Sequence, residues 1–158
     1  MTVFEPFTIE ACDQDVPWAL LAGGKRTGGL VTFGQAHLGP RSAGPARHMH
    51  THEDEAVFVF SGVLTLEVGD RRFEAGPHSL TWLPRHVPHV FANLSDEEVW
   101  ALGVMTPAGL EEMFEARDRY LAELDGPPDM EVILELERAI RRPAGGRAAA
   151  DLSAVAST

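Results

Sequence analysis

His48-Met49-His50-Thr51-His52-Glu53-Asp54-Glu55 packs three imidazoles and three carboxylates into eight residues. Side chains two apart on a strand share a face, so an extended backbone here aims His48 and His50 at one point. Two neutral imidazoles on one face suit a first-row transition metal. Glu55 stands immediately before the apolar run Ala56 to Phe60. From the start of that strand it can close back on the same point. His52 keeps the parity of His48 and His50, so a site of four histidines is the alternative to one completed by Glu55. Glu53 and Asp54 read as solvated loop acids.

A further ligand is expected from Pro84-Arg85-His86-Val87-Pro88-His89-Val90-Phe91-Ala92-Asn93. The order His48-x-His50, four residues, Glu55, six residues, Gly62 resembles the first cupin motif, and Pro84, four residues, His89, three residues, Asn93 resembles the second. Carried over position by position, the resemblance implies His48, His50, Glu55 and His89 as metal ligands. Two positions depart from it. Ser42 stands where the first motif usually begins with glycine, and His86 occupies a glycine position of the second. Glycine there suits a positive φ, which His tolerates better than most residues.

The remainder of the chain fits the fold that this resemblance implies. With 158 residues, 44% of them hydrophobic, one domain with a sizeable core is expected. A net charge of −11 leaves no basic stripe for a phosphate backbone or an anionic membrane surface, so neither nucleic acid nor membrane is an expected partner. The single cysteine, Cys12, excludes an intrachain disulfide and a cysteine-based zinc site. No secretory signal or membrane span is visible, so a cytoplasmic protein is expected.

Residues 1–27 read as an N-terminal extension with short strands, Phe7 to Ala11 and Trp18 to Ala22, and residues 28–106 as the jelly-roll barrel. Strands are expected at Leu30 to Leu38, Ala56 to Phe60, Val63 to Val68, Arg71 to Glu74, Ser79 to Leu83, His89 to Leu94 and Val99 to Met105. Gly69-Asp70 reads as a hairpin turn. Many short strands between turn residues indicate an all-β sandwich or barrel, and with the cupin motifs a double-stranded β-helix jelly roll. After Met105 the period changes: Leu110, Met113, Phe114, Leu121 and Leu124 recur at helical spacing. Thr106 is the expected cap and Pro107 the first helical position, with Gly126-Pro127-Pro128 as the stop. Asp129 offers a cap for a second helix, Met130 to about Arg141. Residues 107–142 are thus expected as C-terminal helices packed on the barrel across the face carrying Phe58 and Phe60, and residues 143–158 as a flexible tail.

The expected cofactor is one divalent transition metal per chain, Fe, Ni, Mn, Cu or Zn, with positions left open for a small-molecule substrate. Candidate cavity walls are Val57, Val59, Trp82, Phe91 and Phe33, a set that suits a hydrophobic or aromatic molecule with a few oxygens. Gln35 and His37 share the face of Phe33 and either join that wall or face solvent; His37 and His78 otherwise read as structural. The chain looks most like the small single-domain cupins called quercetin-dioxygenase-like. That resemblance implies a metal-dependent dioxygenase in which Glu55 is both ligand and catalytic base. The alternatives within the superfamily are a redox-neutral cyclase or isomerase, such as a polyketide cyclase, and a non-catalytic binding module. A homodimer is expected, because a jelly roll exposes sheet edges and two-fold assemblies are the commonest oligomers.

Overall fold

The computed structural model describes residues 5–10, 18–129, 131, 132 and 135. They fall into two compact units, within residues 1–108 and 109–158. The first unit holds a short strand β1 (Trp18–Ala22), a one-turn helix α1 (Gly24–Thr27) and the strands β2 (Thr32–Leu38), β3 (Asp54–Ser61), β4 (Leu64–Val68), β5 (Arg71–Ala75), β6 (Leu80–Leu83), β7 (His89–Ala92) and β8 (Val99–Thr106). They form an antiparallel five-stranded sheet in the order β1-β2-β8-β3-β6 and a three-stranded sheet in the order β5-β4-β7. This is the double-sheet jelly roll that the cupin motifs imply.

Residues of period two build the interior. In β8 every second residue from Val99 to Met105 is buried, and in β3 Glu55, Val57 and Val59 share the inner side. Their partners across the sandwich are Leu64 and Leu66 of β4 and Ala75 of β5, so the core lies between the sheets. Fully burying a side chain such as Leu64 or Leu66 contributes about 1.5–3 kcal/mol. The sheets exchange strands at Ser61-Gly62. Gly62 has φ 76°, and a Cβ there would overlap the Glu98 carbonyl, which restricts the corner to glycine. The Gly69-Asp70 turn joins β4 to β5 as expected, with Val68 paired to Arg71.

Residues 7–10 carry no strand, and Ala11 lies outside the described residues. In the second unit the helix α2 spans Leu110–Ala122, so it starts and stops inside the expected limits. Thr106 cannot cap it. That residue continues β8 opposite Asp54, and its hydroxyl donates to the Leu30 carbonyl at 3.0 Å. The chain turns instead at Gly109, φ 142°, whose N–H donates to the Glu111 carboxylate at 2.9 Å. Glu111 is buried. Asp129 does act as a cap, accepting the Glu131 N–H at 2.8 Å, and Glu131, Val132 and Glu135 are helical. The rest of that second helix and the expected tail at 143–158 lie outside the described residues. No helix among the described residues is long and apolar enough to cross a membrane.

Candidate metal centre

His48 and His89 face each other through a two-way backbone bridge, each N–H donating to the other's carbonyl at 2.9 and 2.7 Å. A third backbone bond, from the His86 N–H to the His50 carbonyl at 2.8 Å, ties the next turn of the same two segments. These bonds hold the His48–His50 segment against the turn that leads into β7, and His48, His50, Glu55 and His89 come together there. Their donor atoms all lie within 4.8 Å of one another. His86 makes this possible by adopting φ 63°, the conformation expected at its glycine position.

The hydrogen bonds fix which nitrogen of each ring points inward. His48 Nδ1 lies 2.8 Å from the Ala46 carbonyl and His89 Nδ1 3.0 Å from the Val87 carbonyl. A carbonyl only accepts, so each Nδ1 carries the proton and each Nε2 presents a lone pair to the cluster. Burial pushes the His48 imidazolium down to about 4, so the ring is neutral at pH 7. Burial raises the Glu55 carboxyl, but the hydrogen bond with the His50 ring beside it leads the effects that offset this and hold it at about 2. Glu55 Oε2 is 3.1 Å from His50 Nε2 and 3.5 Å from His89 Nε2, which is buried and has no hydrogen-bond partner. Two acceptors facing each other in a buried site are what an intervening cation stabilises. Three imidazoles and a carboxylate therefore fit a divalent transition metal.

His52 is not in the cluster. A bend at Thr51-His52 breaks the strand alternation, so His52 is exposed and the four-histidine arrangement does not form. The same bend buries Glu53, at 5% exposure, instead of leaving it in solvent. Asp54 is half-buried and accepts the Arg85 backbone N–H at 2.9 Å and its guanidinium at 2.6 Å, a clamp between the start of β3 and the turn before β7. Arg85 holds the Asp54 carboxyl down to about 2.

Beside the cluster is an apolar cavity that Glu55 also lines, together with Val57 and Phe91 from the expected wall. Val59 is on the same side but fully enclosed in the core. Trp82, Phe33, Gln35 and His37 are corrections. β2 turns Ala36 and Leu38 inward, so Phe33, Gln35 and His37 occupy its other face. Gln35 and His37 are nonetheless buried; His37 stacks on Trp100 at 3.9 Å and lies 3.4 Å from the Glu98 carboxylate. In β6 it is Thr81 and Leu83 that are buried, leaving Trp82 53% exposed. Trp18, Leu64 and Val99 line the cavity instead, a role that no local pattern announces.

Residues 34–105 match the family described as Cupin domain (Cupin_2). No curated protein matches the chain. Among solved structures, KdgF from Halomonas sp. is 17% identical with TM-score 0.50, over 57% of this chain and 76% of that one. A predicted oxalate decarboxylase from Thermotoga maritima is 15% identical with TM-score 0.54, over 57% and 78%. A sugar phosphate isomerase of the cupin superfamily from Silicibacter pomeroyi is 25% identical with TM-score 0.51, over 59% of this chain and 61% of that one. The likeness to the cupin domain lies in residues 34–105, and the likeness to the first two structures shows the fold alone.

Proposed function

We propose that this chain is a metal-dependent cupin enzyme acting on a small hydrophobic or aromatic enolic molecule, as a dioxygenase. The observation that carries the reading is the position of Glu55, which belongs both to the ligand cluster and to the wall of the apolar cavity. His48, His50, Glu55 and His89 would hold the ion, which supplies Lewis acidity and, if redox-active, one-electron chemistry with dioxygen. The chain's own part is binding and proton handling. The cavity walls are apolar and keep water from the inner side of Glu55. Glu55, ionised throughout the physiological range, accepts the hydroxyl proton of a molecule lying against Val57 and Phe91. A carboxylate held so low is a weak base, so an enol or phenol hydroxyl would yield its proton to Glu55 only if acidified by the ion that the four residues would hold.

A redox-neutral isomerase is the second reading, favoured by the Silicibacter pomeroyi neighbour. Phosphorylated sugars suit it poorly, because no lysine or arginine among the described residues lines the cavity. Metal analysis and oxygen uptake with a panel of enediols, catechols and flavonols test the proposal. One metal per chain and oxygen consumption are expected, with Glu55→Gln keeping most of the metal and losing about 10²- to 10⁴-fold in turnover. Product formed without oxygen would move the assignment to the isomerase. Unchanged metal and unchanged turnover in Glu55→Gln would remove the carboxylate from the mechanism.

A further inference from the structure

Gly34 of β2 and Gly103 of β8 are direct partners across adjacent strands. Glycine weakens a strand interior, so a facing pair there marks a close approach. The approaching group is the indole of Trp18, which comes from β1 where that strand pairs with Ala36. A Cβ on Gly34 would overlap Trp18 Cζ2 and Cη2, and one on Gly103 would lie 2.8 Å from Cη2 and Cζ3. The ring thus rests in a notch made by the two glycines. Val57 is the partner of Gly103 on the next strand, and Glu55 and Trp18 line one cavity.

We propose that Trp18 is the specificity-determining residue of this cavity. Its indole occupies the flat, apolar seat beside Glu55 where a planar ring of a bound molecule would otherwise lie, and so admits only a small molecule next to the metal ligands. The inference rests on the proposed function for the identity of the cavity as the substrate site. Trp18 is only half-buried and packs against the edge of the core, so its removal opens space continuous with Glu55 rather than a sealed void.

Two probes test it separately from the metal reading. Indole, titrated calorimetrically into metal-free protein, should bind Trp18→Gly at least about tenfold more tightly than wild type, because the vacated notch matches it. 4-Nitrocatechol, followed by its visible spectrum with nickel-loaded protein, should likewise gain about tenfold or more in affinity in Trp18→Gly. Trp82→Ala, on the other face of the sheet, should change neither. Equal affinities for indole in wild type and Trp18→Gly would overturn the proposal, and so would equal affinities for 4-nitrocatechol in the loaded proteins. If wild type takes up no nickel, the metal reading fails and the indole titration alone decides the role of Trp18. If Trp18→Gly does not fold, Trp18→Phe keeps a ring on the glycine pair and should show a smaller gain for 4-nitrocatechol; no gain would overturn the proposal.

Discussion

His86 holds a left-handed backbone, φ 63°, in the turn that delivers His89. A non-glycine residue in that region costs about 1–2 kcal/mol, while glycine loses about 0.5–1 kcal/mol more chain entropy on folding. His86→Gly is therefore expected to leave stability unchanged or raise it by up to about 1 kcal/mol, and His86→Val to lower it by about 1–2 kcal/mol. Urea denaturation checks both. His48 gives a pH dependence of the metal-free protein. Its folded value, about 4, lies below the ordinary 6.5, so the unfolded chain binds the proton more readily. Stability is full above pH 6.5 and falls as pH drops towards 4. A calorimetric pH series should show that loss, and His48→Gln should flatten it. Below about pH 4.5 Glu55 adds a second loss in the same direction, continuing towards 2. The conformation of His86 was legible from its place in the second motif. The burial of Glu53 was not, because it depends on the bend at Thr51-His52, which no residue there demands.

Among the connections between elements, the one from β7 to β8 depends on Asn93, which is 0% exposed. Its Nδ2 donates to the carbonyls of Leu38, Gly39 and Glu97 at 3.1, 2.8 and 2.6 Å, and its Oδ1 accepts from the Ser95 N–H and hydroxyl at 3.0 and 2.8 Å. One amide thus ties the end of β2 to the turn that precedes β8. Asn93→Ala leaves those carbonyls without their donor in a site closed to water, at a cost of about 3 kcal/mol. Asn93→Asp should fare no better, since it replaces the donor with an acceptor. A lower midpoint in urea at constant slope is the expected observation. The sequence placed the strands from β2 to β8 to within about two residues, since alternation and turn residues act locally. It placed the start of α2 too early because Thr106 is claimed by a tertiary pairing with Asp54.

Across the whole molecule, β6 ends the five-stranded sheet, and its outer residues Leu80 and Trp82 are 65% and 53% exposed. Phe60, on the neighbouring β3, is 51% exposed. An apolar edge of this kind is a template for pairing, which favours the expected homodimer. Light scattering at micromolar concentration should give about twice the 17.2 kDa of one chain. The double change Leu80→Lys and Trp82→Lys should return the mass to one chain. With −11 charges on each copy, association should tighten as salt is raised. A mass of 17.2 kDa for wild type at all salt concentrations would remove the expectation.

By itself the sequence determined the strand period and the two clusters His48-His50-Glu55 and Pro84-His89-Asn93, because each is a property of residues a few positions apart, and the resemblance of those clusters to the cupin motifs implied the jelly-roll class. The tertiary structure alone decided which side of each strand is inside. Period two assigns Trp82 and Leu80 to one face and Thr81 and Leu83 to the other, yet the pattern is the same whichever face is covered. The second sheet, packed over Thr81, Val57 and Ala36, made that choice and sent Trp82, Gln35 and His37 to the opposite side. The seat of Trp18 is likewise non-local. It exists because pairing sets Gly34 opposite Gly103, residues that no local pattern connects to Trp18.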